Sequence, residues 1–357
     1  MRNPWLLFTG LALIAATAGA LAQPAKFEET PEQMLAQIEA INTARLQLGR
    51  ELAASGQPRK LYAAWLLAPM SLDLARGKTT YSPEADTWLM RAIHTGGDDP
   101  VIAAAAVTRC IRVDECNVEQ ARATLVAKDA NDAGSQLLLM RLAEHRKDLR
   151  EAERAWQRAA KATRYRDPAA TLIGVLDIAT RDYPWPLTDP AQAAEWQRHN
   201  SGNYLEQERI VSLFGIAAMH FPADLKQAAE ACPENTTDAQ KREQCRHLFN
   251  VMADSSSLLL AGYGASRMAA LEQGPAQAPW LARKRELQWI TTEATAILGD
   301  ETRKVIKVSP TEYARWLAEQ GELPAMRRLL AVYGVPVAPP VDWQPELAAP
   351  QATSSAP

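Results

Sequence analysis

Residues 99–165 read DPVIAAAAVTRCIRVDECNVEQARATLVAKDANDAGSQLLLMRLAEHRKDLREAERAWQRAAKATRY, and this stretch decides the fold. Asp99 and Pro100 start a helix, because aspartate caps the free N–H groups of a first turn and proline fits the first helical position. The small and apolar residues that follow continue this helix to Ile111. Apolar periodicity predicts three more helices, one from Asn117, one over 134–145 and one over 149–162.

The last of these helices carries a repeat-like pattern. Ala152, Trp156 and Ala159 lie at positions i, i+4 and i+7 and therefore share one face. A small, a large and a small residue in this order resembles the second helix of a tetratricopeptide repeat, where this face packs against the partner helix. Related patterns begin at Ala121 and Ala85, so the offsets are 36 residues (85 to 121) and 31 residues (121 to 152). The repeat period of that family is about 34 residues.

The resemblance covers residues 82–182 at most, and it implies helical hairpins stacked as a tetratricopeptide-like α-solenoid. Three features depart from the family pattern. Met140 occupies the glycine position of a first helix, Lys128 stands where a small residue is expected, and no proline closes the helix after Ala159. A plain α-helical bundle with alanine-rich contacts is the alternative, and both architectures are all-α.

The composition of the whole chain supports an all-α fold. The chain has 357 residues, of which 47% are hydrophobic and only 6% aromatic, and alternating β-branched runs are scarce. The formal net charge is −3, without a block of basic residues. Nucleic acid is therefore not expected as a partner, because neutralising phosphates requires clustered lysine and arginine.

Residues 1–22 have the pattern of a secretory signal peptide. Arg2 precedes the apolar core 5–16, and Ala20-Leu21-Ala22 forms a cleavage site after Ala22. The protein is therefore predicted to be periplasmic or secreted, with no stable membrane insertion once the signal is removed. The alternative is an uncleaved N-terminal membrane anchor, because residues 4–22 carry no charge and nearly reach spanning length.

The four cysteines form two local pairs, Cys110 with Cys116 and Cys232 with Cys245. An even number of cysteines in an exported chain indicates disulfides, and the short spacing favours the local pairing. Each bond then joins the end of one helix to the start of the next. A zinc site or a redox site is the alternative, but neither pair has the closer spacing that these sites use.

The chain divides into five predicted segments, and a run of three prolines in eight residues marks the boundary between two helical halves. Within the first half, residues 71–81 are predicted as a loop. The predicted segments are the signal peptide 1–22, an N-terminal helical-repeat domain 30–182, a proline-rich linker 183–190, a C-terminal helical domain 191–334 and a disordered tail 335–357 that is rich in proline, alanine and serine.

No catalytic constellation with a specific spacing is present, so no catalytic, cofactor-binding or metal-binding residue is predicted. Residues 262–266 (GYGAS) do not match the G-x-S-x-G motif of serine hydrolases, and the two glycines are interpreted as a helix break or a close-packing point. The five histidines are scattered along the sequence and are interpreted as surface or helix-end residues: His94, His145, His199, His220 and His247.

Tryptophans are the candidate binding residues. Trp65, Trp88 and Trp156 lie in predicted helices, where they line a groove for a ligand or belong to the core. We expect a scaffold without catalytic activity that binds another envelope protein or a peptide through an extended helical surface. The alternative is a helical periplasmic hydrolase, acting on cell-wall glycan with a carboxylate general acid in the second half. A purely structural envelope component is a third interpretation.

Overall fold

A computed structural model describes residues 30–73, 78–112, 116–183, 185, 194, 204–220, 225–299 and 307–345. The described chain is predominantly helical, so the all-α prediction is confirmed. The helices are α1 (Pro31–Ala54), α2 (Pro58–Leu67), α3 (Pro83–Gly96), α4 (Pro100–Arg112), α5 (Glu119–Lys128), α6 (Ala133–His145), α7 (Leu149–Ala159), α8 (Pro168–Thr180), α9 (Tyr204–His220), α10 (Leu225–Ala231), α11 (Ala239–Ala253), α12 (Leu258–Leu271), α13 (Ala278–Gly299), α14 (Pro310–Gln320) and α15 (Glu322–Tyr333).

The predicted loop over 71–81 is wrong, because two short strands lie there. Strands β1 (Met70–Asp73) and β2 (Lys78–Tyr81) pair in antiparallel fashion, with Met70 opposite Tyr81. Four-residue strands are too short to be stable alone, so neighbouring helices must support this hairpin. It places Tyr81 beside α2, where its ring contacts Trp65.

Local caps fix the helix starts, among them the predicted start at Asp99. The Asp99 carboxylate accepts the N–H of Val101 at 3.0 Å, and Ser309 accepts the N–H of Glu312 at 3.1 Å. Residues 262–264 do not break a helix, because α12 runs through them. Gly264 is a close-packing point instead: a Cβ there would lie 2.5 Å from the carbonyl oxygen of Phe249 on α11.

Neighbouring helices contact one another in a closed circuit. The circuit passes along the chain from α2 to α7, continues through α11, α12 and α13 to α15 and α14, and returns through α9 and α8 to α2. A buried arginine fixes the returning part: Arg209 of α9 donates to Asp177 at 2.7 Å and to Thr180 at 3.2 Å, both on α8. Helices α8 and α9 therefore hold the N-terminal hairpin α1–α2 near α14.

The two largest hydrophobic cores both cross the predicted boundary at 183–190. One core joins α4–α7 to α10–α12, and the other joins α1–α3 to α8 and α9. Trp185, in the predicted linker, is buried in the second core. The two predicted halves therefore share their cores across this boundary.

The C-terminal segment 335–345 lies against α13, although a disordered tail was predicted from residue 335. Arg285 donates to the carbonyl oxygens of Trp343 and Val341 at 2.6 and 2.8 Å, and also to that of Pro340. The indole N–H of Trp289 donates to the carbonyl oxygen of Pro336 at 2.8 Å. The predicted signal peptide and residues 346–357 of the predicted tail lie outside the described residues.

Candidate binding cavity

A cavity of about 390 Å³ lies between α2, α3, α4, α6 and α8, with β2 and the last residue of α9 at one side. Its walls are mainly apolar, and they combine side chains from helices far apart in the sequence. The apolar lining residues include Leu89, Val101, Ala104, Ala105, Leu138 and Leu172. Enclosed apolar cavities with a few convergent polar groups are the usual form of small-ligand sites.

An aromatic cluster forms one wall of the cavity. The centroid of the Trp65 ring lies 4.8 Å from that of Tyr81, 5.0 Å from that of His220 and 5.8 Å from that of Tyr62. His220 Nε2 lies 3.1 Å from the carbonyl oxygen of Leu66, and its Nδ1 lies 3.2 Å from the Tyr81 hydroxyl. Because a carbonyl only accepts, Nε2 carries a proton, and in the neutral ring Nδ1 accepts the Tyr81 hydroxyl proton. The cluster therefore has a fixed geometry.

The indole N–H of Trp65 is the unusual polar group in this wall. The side chain is only 9% exposed, and its Nε1 atom has no hydrogen-bond partner. A buried donor without an acceptor costs roughly 1–3 kcal/mol, so most such groups in folded proteins are paired. The ring of Trp65, and not its covered N–H group, is therefore the surface that this residue presents to a ligand in the cavity.

Asp129 also lines the cavity and is 1% exposed. Arg166 and Arg164 donate to its Oδ1 at 2.6 and 2.9 Å, and the Ser135 hydroxyl donates to its Oδ2 at 2.5 Å. These three donors compensate the buried negative charge. Asp129 is therefore already paired and organises the turn between α5 and α6.

Asp132, the N-cap of α6, also lines the cavity. Burial raises the pKa of its carboxyl group, and the nearby charge of Asp129 adds to the effect. The backbone N–H groups of Ser135 and Arg166 and the Arg166 guanidinium act in the opposite direction. The N–H of Ser135 donates to Oδ1 at 2.9 Å and the N–H of Arg166 donates to Oδ2 at 2.8 Å, so both oxygens of Asp132 accept hydrogen bonds from the backbone. This carboxylate is poorly placed to act as a general acid.

Two charged groups on the cavity walls lack an ionic partner within the described part of the chain. Arg109 of α4 is half-buried, and the one hydrogen bond that its guanidinium makes there is to Cys116 Sγ, at 3.5 Å. Asp86 of α3 is exposed, and its carboxylate accepts no hydrogen bond from the described residues. The charge of Arg166 is therefore compensated by Asp129, whereas the charge of Arg109 has no such partner among the described residues.

The structure separates the three tryptophans that the sequence grouped together. Trp65 lines the cavity, whereas Trp88 is buried between α1 and α3 against Gly49. Trp156 is 1% exposed and belongs to the core of α4–α7 and α10–α12. Its indole N–H donates to Gln244 Oε1 on α11 at 2.8 Å. Trp65 alone of these three is placed to touch a ligand in the cavity.

The predicted cysteine pairing is confirmed, since Cys110 pairs with Cys116 and Cys232 with Cys245. Cys110 lies in α4, and Cys116 precedes α5. The second bond joins the residue after α10 to the middle of α11. All four cysteines belong to the core of α4–α7 and α10–α12, and Cys116 Sγ also contacts Arg109 of the cavity wall.

Sequence reasoning missed most of the polar cavity residues. Tyr81 and His220 are 139 residues apart, and Asp129 is 35 and 37 residues from the arginines that pair with it. His220 was interpreted as a helix-end residue, which is its position in α9, but its ring contacts were not foreseen. The one local signal was the placement of Asp132 immediately before an apolar helical run, which is typical of an N-cap.

A carboxyl group with a raised pKa also occurs in the second half of the chain. Burial raises the pKa of Glu322 to about 7, the N–H of Leu258 lowers it, and the charge of Asp167 raises it. Glu322 does not line the cavity, and its Oε2 accepts the N–H of Leu258 at the start of α12 at 2.9 Å. This carboxylate is therefore a helix cap. Within the described ranges, no three His, Cys, Asp or Glu side chains are grouped so that they could hold a metal ion.

Among the described residues, no helix combines the length and the apolar character that crossing a membrane requires. Neither a protein-family model nor a curated protein sequence nor a solved structure matches this chain significantly.

Proposed function

We propose that this protein is an exported helical-repeat scaffold that binds a peptide segment of another envelope protein in the cavity between α2, α3, α4, α6 and α8. The observation that carries the proposal is the aromatic wall of Trp65, Tyr62 and Tyr81 in a mainly apolar, partly open cavity. A peptide offers apolar side-chain surface to this wall and backbone hydrogen-bonding groups to the polar residues of the cavity.

Two further observations support this proposal. The two disulfides fit a protein that folds in an oxidising compartment such as the periplasm. Ala152, Trp156 and Ala159 are all buried, as the tetratricopeptide-like interpretation requires of a face that packs on a partner helix. The carboxylates of the cavity favour binding over hydrolysis, because Asp129 and Asp132 are held by structural donors.

The proposal is tested by selecting peptides from a display library with the exported, disulfide-bonded protein and measuring affinities by titration calorimetry. We expect Trp65→Phe to keep an aromatic ring and weaken binding about 10-fold, because the smaller ring loses apolar contact with the ligand. Trp280→Phe is the matched control, since Trp280 lies on α13 outside the cavity and is only partly buried. Failure to select any peptide, or equal weakening by both substitutions, would refute the proposal.

A further inference from the structure

We propose that the cavity binds the C-terminal residue of its peptide ligand, with the free carboxylate on Arg109 and an apolar or aromatic side chain against Trp65. This inference rests on the proposed function and specifies which part of a peptide the site recognises. The shared chemistry is a carboxylate joined to an apolar body, which a protein C-terminus or a free organic acid can supply. The experiment below separates these two sources.

The first argument concerns the charge of Arg109. Its guanidinium is half-buried in the cavity wall, and the one acceptor it contacts among the described residues is the sulfur of Cys116, which is a weak acceptor. A guanidinium presents several N–H donors in a planar fork that matches the two oxygens of a carboxylate. Because no anion of the described residues contacts this partly buried charge, a ligand carboxylate can supply an ionic partner.

The second argument concerns the carboxylates that already line the cavity. Asp129 is paired with Arg164 and Arg166, and both oxygens of Asp132 accept backbone N–H groups. Neither of them neutralises Arg109 in the described structure. Asp86 has no ionic partner among the described residues and lies at the exposed rim, where it can accept from a backbone N–H of a peptide whose carboxylate points inward. The positive charge of Arg109 and the negative charge of Asp86 therefore favour a peptide that enters with its C-terminal carboxylate first.

The third argument is the distance along α4. The lining residues Val101 and Arg109 are eight positions apart, which corresponds to about 12 Å of helix. Val101 packs in the same core as Trp65, so the aromatic wall lies towards the start of α4, and Arg109 lies in its last turns. An extended chain advances about 3.5 Å per residue, so one or two residues and a large side chain can reach from the guanidinium to the indole.

The test uses labelled hexapeptides that end in Phe, Leu, Ala or Glu, each prepared as the free acid and as the C-terminal amide. Fluorescence anisotropy with the exported, disulfide-bonded protein gives the affinities. We expect the free acids ending in Phe and Leu to bind best and their amides to bind at least 10-fold more weakly. Arg109→Gln should abolish the difference between acid and amide, whereas Arg109→Lys should retain part of it.

Arg91→Gln is the matched control, because Arg91 is an exposed arginine of α3 outside the cavity and its loss changes the net charge by the same amount. It should leave the preference for the free acid unchanged. Equal affinity for acids and amides, or a preference that survives Arg109→Gln, would overturn the inference. If peptides still bound in a Trp65-dependent manner, the proposed function would stand without it.

Competition with N-acetyl-phenylalanine identifies the source of the carboxylate. A hexapeptide that binds much more tightly than this single residue supports a protein C-terminus, because the preceding residues then add contacts at the rim. Equal affinity would overturn the assignment to a peptide and would indicate a free organic acid as the ligand. Circular dichroism and thermal melting of each variant establish that it is folded.

Discussion

Trp65 and Trp156 are both buried on short helices of the first half, but their indole N–H groups have opposite surroundings. Trp156 donates to Gln244, whose amide in turn donates to Gln157 at 2.8 Å, and Lys241 Nζ lies 3.7 Å from the centroid of its ring. Trp65 packs in a different core beside Tyr81 and His220, and its N–H has no hydrogen-bond partner. Burial alone therefore does not distinguish these two tryptophans, whereas their hydrogen bonding and their position relative to the cavity do.

The largest expected effect tests the core side of this comparison. Trp156→Ala should lower the free energy of unfolding by about 3–5 kcal/mol, because it leaves a cavity in a closely packed core and an unpaired Gln244. Chemical denaturation measures the effect. Trp65→Phe is the comparison and should change stability by less than about 1 kcal/mol, because the packing lost with the smaller ring is offset by removal of a buried donor that has no partner. Similar losses from both substitutions would contradict the distinction.

The second effect concerns the disulfides that support the same core. Replacing Cys232 and Cys245 together by serine should destabilise the protein by about 3 kcal/mol, since the bond closes a loop of 13 residues. Replacing Cys110 and Cys116 should cost less, because that bond closes a loop of six residues. Thermal melting of the two double variants measures both losses of stability, and the Cys232/Cys245 variant should have the lower melting temperature. Loss of peptide binding in a variant that remains folded would show that core and cavity are not independent.

The smallest expected effect on stability concerns Glu322. Its carboxyl group accepts the N–H of Leu258, but burial still makes its ionisation costly. Its folded pKa of about 7 lies above its ordinary value of 4.5, so the folded state holds a proton that the unfolded chain releases. The stabilisation is complete below pH 4.5 and is lost as the pH rises through 7.

Glu322→Gln should therefore stabilise the protein relative to the parent by about 2 kcal/mol more at pH 8 than at pH 5. Denaturation curves of both proteins at the two pH values measure this difference. Glu319→Gln on α14, an exposed carboxylate, is the control and should show no such dependence. A constant difference between Glu322→Gln and the parent across this range would contradict the raised pKa.

Local signals were sufficient for the helices and for the disulfides. Asp99 and Ser309 determine helix starts through contacts within three residues, and the cysteine pairs lie on adjacent segments. Strands β1 and β2 were missed because such short strands depend on tertiary support, here the contact of Tyr81 with Trp65. Helical periodicity also identified Trp65 and Trp156 as inward-facing without showing which of them has a hydrogen-bond partner.

The candidate site could not be read from the sequence, because its groups come together only through long-range packing. Arg109 and Arg166 are both arginines that line the cavity, yet Arg166 lies beside a buried aspartate and Arg109 does not. No local pattern encodes that difference. The pairing depends on how the turn after α5 approaches the segment before α8.

The closed circuit of helix contacts has a consequence for how the chain folds. In an open solenoid each unit touches only its sequence neighbours, so the array can assemble from any point and fray from its ends. Here α2 contacts α8 and α9, and α9 contacts α14, which joins segments separated by about 90 residues or more. Closing such long loops costs chain entropy before the contacts form, which slows folding. The same closure ties the N-terminal hairpin to the last helices, so we expect the protein to unfold as one cooperative unit instead of repeat by repeat.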